Sequence, residues 1–285
     1  MPDGIVLIDK PVGPSSAQAI APLKRRLKGP RVGHAGTLDP FASGLLLVLV
    51  GGATRLQDLA MKLPKAYVAT VRFGAETDTL DPTGTVVASQ DPGAQPEGLE
   101  AAVAAFTGEI DQEPPAFSAL KVEGRRAYRL ARQGKPVDLA PRRVRVHSIA
   151  VRDVRWPDAT IELTTGSGFY VRSFARDLGK ALLLPAHLAA LRRTHIGPFA
   201  ADGADGTTVL DCLKLVEAAG LPLVHVPRAV AHAFAEGRPV QAAAKGEVAV
   251  LCEGSLVGIG KAGGAGAVVP DVVLAGARRA FEPEE

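Results

Sequence analysis

Cysteine is almost missing from this chain. Cys212 and Cys252 stand alone among 285 residues, and no CxxC pair occurs. That excludes a disulfide framework and a thiolate zinc site, and points to a reducing cytosol. The six histidines are scattered without HExxH or any other ligand spacing, so no metal is expected. Net charge is only +3, which excludes a polybasic binder, although such an average hides any local patch. Aromatic rings are scarce: nine Phe, three Tyr and one Trp. A protein that stacks bases must do so here with very few rings. The longest strongly apolar run, Leu45 to Val50, is far short of the ~20 residues a membrane span needs. The opening Met-Pro-Asp-Gly has no basic region before its short apolar run. A cytoplasmic chain with no membrane association is the expectation.

What is present is a large core: 47% of residues are hydrophobic. At about 150 residues per domain, one large domain or two are allowed. Residues 5–8 read as a short strand, followed by a Pro/Gly/Ser loop. A helix then closes on the basic cluster Lys24, Arg25, Arg26 and Lys28. A Gly/Pro-punctuated loop, 33–44, runs into the apolar strand 45–50. Segment 66–74 alternates like a strand and is expected to pair with 84–88 across Asp81-Pro82-Thr83-Gly84. Residues 97–107 and 169–183 read as helices. Segments 143–155 and 159–165 read as an antiparallel pair joined at Trp156-Pro157-Asp158. Composition shifts near Leu221-Pro222, and glycine-separated strands at 247–252 and 255–259 suggest a small β-rich unit. The expected division is 1–221 and 222–285.

Charge is placed unevenly. Lys121 to Arg155 holds eleven Lys and Arg against three acids, a local +8, whereas the stretch from residue 226 onward carries −1. The basic stretch is either a solvated face or a phosphate-contacting surface. A GxGxxG falls at Gly258, Gly260 and Gly263, but the strand–helix context and the later acid of a dinucleotide site do not follow it. A hairpin in the small β unit is the better reading, and no GxxxxGK[ST] occurs. The block Gly33-His34-Ala35-Gly36-Thr37-Leu38-Asp39-Pro40-Phe41-Ala42-Ser43-Gly44 is different. It holds one carboxylate, Asp39, at the mouth of the apolar strand, with Pro40 pushing it toward extended backbone angles. Such a group is a nucleophile, a general base, or simply a turn-forming aspartate.

This block resembles the catalytic signature of the tRNA pseudouridine synthases that isomerise the T-loop uridine, G-H-x-G-x-L-D-P-x-A-x-G. The resemblance extends along residues 5–199. It takes in Val6-Leu7-Ile8-Asp9-Lys10-Pro11 with Gly13 and Ser15-Ser16, then Lys65-Ala66-Tyr67 and Thr77-Asp78-Thr79-Leu80-Asp81. It continues through Ser118-Ala119-Leu120-Lys121, Tyr128 and Ala131-Arg132-Gln133-Gly134. Gly168-Phe169-Tyr170-Val171-Arg172 and Leu191-Arg192-Arg193-Thr194 complete it. Phe169 and Ala35 depart from the residues most frequent at those places. The three tyrosines, Tyr67, Tyr128 and Tyr170, all fall within the matched motifs.

The resemblance implies an α/β (α+β) fold with a mixed, largely antiparallel sheet flanked by helices. It also implies a thumb-like basic insertion at about 118–143 and a small PUA-like RNA-binding unit over 222–285. It implies an isomerase that flips a T-loop uridine out of tRNA, breaks its N1–C1′ bond and rejoins it through C5. Nothing is added, lost or oxidised, so neither cofactor nor metal is implied. Asp39 would be the catalytic carboxylate, Arg172 its cationic partner, and Tyr67 the ring that stacks on the base and assists proton removal at C5. His34 would hold the disrupted loop, and Asp81, Tyr170 and Leu191 would help line the pocket. The implied partner is the tRNA T-arm, with no DNA, no membrane and no obligate protein partner, for a monomeric enzyme. The competing readings are a guide-RNA-dependent pseudouridine synthase, an RNA-binding or folding module without catalysis, and, more remotely, a hydrolase using Asp39 and Asp81 as a carboxyl pair.

Overall fold

A computed structural model of the chain describes residues 3–118, 120–122, 125–126, 139–274 and 276–281. Tyr128 and most of the basic insertion expected over 118–143 lie outside the described residues.

The chain begins with β1 (Gly4–Lys10) and α1 (Ser16–Leu27). Ser15 starts α1 with a capping box: its hydroxyl accepts from the Gln18 N–H, and Gln18 Oε1 accepts from the Ser15 N–H at 2.8 Å. β2 (Val32–His34) and β3 (Ser43–Val50) follow, then a 3-10 turn and α2 (Gln57–Lys62), which lead to β4 (Lys65–Phe73). Next come the hairpin β5 (Ala75–Thr77) and β6 (Val86–Ser89), then α3 (Leu99–Ala104) and β7 (Gly108–Gln112). Two short strands, β8 (Lys121–Val122) and β9 (Arg125–Arg126), pair with each other. Long β10 (Arg142–Arg155), β11 (Asp158–Thr165), α4 (Val171–Ala181) and β12 (Ala186–Ile196) precede β13 (Phe199–Ala200), β14 (Asp205–Leu210) and α5 (Leu213–Ala218).

Ten of these strands form one sheet, with main path β14-β1-β3-β12-β4-β11-β10-β7, β2 on β3 and β13 on β12. Its pairings are antiparallel except where β12 runs parallel to β3, at Arg192↔Ser43 and Arg193↔Gly44. This is the mixed, largely antiparallel sheet expected from the sequence. The unbroken apolar run in β3 has a simple cause. Leu45, Leu47 and Leu49 face one core, and Leu46, Val48 and Val50 face the other. A strand covered on both faces cannot alternate with polar residues. Full burial is worth about 1.5–3 kcal/mol per side chain of this size. Helices α1 and α4 cover one face through Ile20, Leu23, Phe174 and Leu178.

One expected pairing is corrected. Residues 84–88 do not join 66–74, because β6 pairs with β5, in the register Ala75↔Ser89. β4 already has β11 on one side and β12 on the other along its whole length.

Beyond Pro222, β15 (Leu223–His225), α6 (Arg228–Ala235), β16 (Val240–Gln241), β17 (Glu247–Cys252), β18 (Ser255–Ala262) and β19 (Ala267–Val273) build a five-stranded sheet ordered β15-β17-β18-β19-β16. Gly258 and Gly260 lie in β18 beneath the Phe234 ring. A Cβ on either would come within 3.1 Å of a ring carbon. The GxGxxG is therefore a packing feature of a hairpin strand. The apolar interior of this unit is continuous with the layer that contains Leu45, Leu47 and Leu49.

Candidate active site

The loop between β2 and β3 carries Asp39, and it is held from three sides. Ser16, at the first turn of α1, both accepts from the Leu38 N–H and donates to the Leu38 carbonyl, each at 2.9 Å. Lys10, fully buried at the end of β1, donates to the Pro14 carbonyl at 2.8 Å and reaches the Pro40 carbonyl at 3.4 Å. The Gly13 N–H also donates to Pro40, at 2.8 Å. Burial pulls the Lys10 ammonium below its ordinary value, and the Asp39 carboxylate partly opposes this. Gly44 ends the loop at φ +105°, where a Cβ would press to 2.7 Å from the Arg193 backbone nitrogen. No side chain fits there.

Arg172 meets this loop from the start of α4. Its Nε lies 2.9 Å from Asp39 Oδ2, with the arginine 8% and the aspartate 37% exposed. The rest of the guanidinium is anchored: Nη1 donates to the Thr79 carbonyl at 3.0 Å and Nη2 to the Phe117 carbonyl at 2.9 Å. A cation fixed in this way sets the direction of the facing carboxylate.

Asp39, Arg172, Tyr67, Tyr170 and Leu191 share the wall of one cavity of about 290 Å³. Tyr67 is on β4 and Leu191 on β12. Tyr170 precedes α4, and its backbone is gripped by Gln112, whose side chain accepts from the Tyr170 N–H at 2.8 Å and donates to its carbonyl at 3.1 Å. Burial raises the pKa of the Tyr170 phenol. Of the seven residues expected at the site, five thus converge on this cavity.

The other two do not form its wall. Asp81 is buried behind Arg172, with Oδ2 3.9 Å from Nη1. Its Oδ1 accepts from the Thr83 N–H at 2.9 Å, from the Thr83 hydroxyl at 2.6 Å and from the Thr79 hydroxyl at 2.7 Å. His34 sits half-buried in β2, where burial and then the Arg193 charge hold its imidazole below the ordinary range.

Two cations in the cavity wall, Lys65 and Arg193, were given no role in the sequence reading. The signal was present in the quoted motifs. Lys65 shares a strand face with Tyr67, and Arg193 shares one with Leu191, because side chains two apart point the same way. Tyr67 and Arg193 are direct cross-strand partners. Arg193 donates to the Leu45 carbonyl at 2.8 Å and to the Gly36 carbonyl at 3.0 Å. Among the described residues no group of three His, Cys, Asp or Glu comes together to hold a metal ion.

A carboxylate held by arginine beside a tyrosine thus stands in the wall of a cleft against β4 and β12 of this mixed sheet. The fold is similar to that of a solved Cbf5–Nop10–Gar1 complex, with TM-score 0.73 and 26% identity over 99% of this chain and 87% of that one. Residues 24–171 match the profile of TruB family pseudouridylate synthase (N terminal domain), and 222–274 that of Pseudouridine synthase II TruB, C-terminal. The tRNA pseudouridine synthase B of Aromatoleum aromaticum is 40% identical over 94% of this chain and 91% of its own length. That of Bordetella avium is 42% identical over 79% of this chain and 93% of its own. The chain belongs to the TruB family of pseudouridylate synthases.

Proposed function

We propose that this enzyme converts a uridine in the tRNA T-loop to pseudouridine without a guide RNA. The observation that carries the reading is the Asp39–Arg172 pair, 2.9 Å apart, in the wall of a cavity shared with Tyr67. A cavity of about 290 Å³ is too small for a paired duplex, so a base inside it must have left its stack.

The N1–C1′ bond breaks with its electron pair going to the base. Asp39 assists as a nucleophile or as a base, and Arg172 aims it. The uracil turns, C5 bonds to C1′, the proton on C5 leaves, and N1 gains one. Substrate and product are isomers, so no cofactor takes part. Tyr67 stacks on the base and assists removal of the C5 proton. Tyr170 and Leu191 hold the base edgewise, Asp81 acts through Arg172, and His34 supports the opened loop from outside the cavity.

The partner is the T-arm of tRNA, with the basic insertion at 118–143 and the unit over 222–285 adding contacts to its phosphates. The enzyme works as a cytoplasmic monomer. No helix among the described residues is long and apolar enough to cross a membrane. Guide dependence is the second reading, because the similar solved chain sits in an assembly with two other proteins. The higher identity to the curated tRNA enzymes favours the guide-free form. The test is incubation of the purified chain with a bare T-arm transcript, followed by mapping of pseudouridine. Product at the T-loop uridine supports the proposal; product only when guide RNA and partner proteins are added overturns it.

A further inference from the structure

The cavity wall is more positive than the Asp39–Arg172 pair requires. It contains one acidic side chain, Asp39, and three basic ones, Arg172, Lys65 and Arg193. Asp39 is matched by Arg172, and Asp81 approaches Arg172 from behind. Lys65 and Arg193 remain, 5% and 2% exposed. Among the described residues neither is paired with a carboxylate; both are held by carbonyl oxygens, and Arg193 also by the Tyr67 side chain. Lys65 donates to the Met61 and Leu63 carbonyls, and Arg193 to Leu45 and Gly36. Burying a cation with no counter-ion is expensive, by several kcal/mol for an ion after relaxation. The two are also close enough to repel. Burial first, and then the Arg193 charge, pulls Lys65 down to about 8.

A fold needs neither cation here. A neutral donor would serve the end of α2, where Lys65 binds, and apolar packing would serve the centre of a sheet. Gly36 adds a second indication. It belongs to the cavity wall at φ +95°, and a Cβ on it would stand 3.3 Å from Arg193 Nη1, so no side chain comes between that nitrogen and the cavity there. The wall therefore holds positive charge that no carboxylate among the described residues matches.

We infer that Lys65 and Arg193 form a fixed cationic wall that stabilises the uracil while it is detached from the sugar. The inference rests on the isomerase reading above. When N1–C1′ breaks, the electron pair stays on the base, and the uracil carries a negative charge spread over N1, O2 and O4 until C5 bonds to C1′. Arg172 is committed to Asp39 throughout and cannot follow the turning ring. Two cations on adjacent strands, β4 and β12, flank Tyr67 and offer the charge a partner during rotation. They also oppose loss of the free base to solvent. Preorganised charge of this kind favours a transition state without reorganisation at the moment of reaction.

The experiment compares two T-arm RNAs, with uridine or 5-fluorouridine at the target, in single-turnover reactions with the unaltered enzyme and Lys65→Met. Fluorine makes the uracil anion more stable by itself, so it needs the wall less; C5 then has no proton to lose, so both RNAs are scored by formation of the C5–C1′ bond. Lys65→Met is expected to slow the uridine RNA on the order of 100-fold. The same change is expected to slow the 5-fluorouridine RNA at least ten times less, with RNA binding unchanged. Equal losses on both RNAs, or no loss, overturn the inference. Lys65→Gln, which keeps a donor for the Leu63 carbonyl, gives the same comparison if the methionine variant does not fold. Failure of the unaltered enzyme to convert the uridine RNA overturns instead the reading on which the inference rests.

Discussion

Asp39 and Arg172 meet at 2.9 Å, and every nitrogen of that arginine has a fixed partner: Asp39 on Nε, Thr79 on Nη1 and Phe117 on Nη2. The carboxylate is the more exposed of the two and the arginine is nearly sealed. The carboxylate is thus at the surface of the cavity, while its orientation is set from inside the protein.

This arrangement separates catalysis from binding. Asp39→Asn preserves shape and a hydrogen bond to Arg172, but removes the carboxylate that the proposed reaction requires. Turnover is expected to fall on the order of 10⁴-fold, as for removal of a central catalytic group. Binding of T-arm RNA should stay within a few-fold of the unaltered enzyme. Tritium release from C5-labelled uridine measures the first and filter binding the second; turnover near normal would remove Asp39 from its role.

Asp81 gives a different signature. Its Oδ1 takes three hydrogen bonds within its own turn, leaving Oδ2 toward Arg172. In Asp81→Asn the Oδ1 bonds survive, and an amide N–H group replaces the charge facing the guanidinium. Folding should change little, whereas kcat is expected to drop by roughly 10–100-fold with KM nearly constant, the pattern of a lost transition-state effect. A rise in KM with kcat unchanged would place Asp81 in base binding instead.

The contrast between these two aspartates shows what was legible in the sequence. Asp39 is readable because Pro40, the flanking glycines and the apolar strand form a local pattern. The same holds for β3, whose unbroken run reports burial on both faces. Asp81 is less readable: the motif places it near the site, but only the turn geometry, with Thr79 and Thr83 closing on Oδ1, reveals that it faces Arg172 from behind. Lys65 and Arg193 escaped because their meaning depends on the cross-strand register Tyr67↔Arg193, which local pattern does not encode. The misassigned partner of β6 has a related cause. The turn at Asp81-Pro82-Thr83-Gly84 is real, with Gly84 N–H donating to the Asp81 carbonyl at 3.4 Å. Two distant strands nevertheless occupy both edges of β4.

Ser16 tests how much the loop depends on its anchor. Its buried hydroxyl satisfies both the N–H and the carbonyl of Leu38, the residue before Asp39. Ser16→Ala leaves two buried backbone groups without partners, at about 1–3 kcal/mol each if neither reaches water. Urea denaturation should show a loss of a few kcal/mol at unchanged slope. Turnover of the folded fraction should also fall, because Asp39 loses its fixed position. Unchanged stability would mean the loop is held well enough by Lys10, Gly13, Arg172 and Arg193 without the serine.

The buried charge of Lys65 sets a pH dependence whose direction follows from its shift. Its pKa is about 8 in the folded chain against 10.5 for the free side chain. Between those values the unfolded chain holds a proton that the folded chain has released. Stability must therefore rise with pH over that window. Below about 8 the folded protein bears the full cost of a buried ammonium beside Arg193. Above 10.5 that cost is gone in both states. The gain is at most roughly 3–4 kcal/mol, since each pKa unit is worth about 1.4. Other groups titrate in the same range, so the clean measurement is the difference in unfolding free energy between the unaltered chain and Lys65→Met, taken from pH 7 to pH 10.5. That difference should move in favour of the unaltered chain as pH increases. A flat difference would mean that Lys65 keeps an ordinary ammonium, well hydrated at the cavity mouth, and is no part of a strained cationic wall.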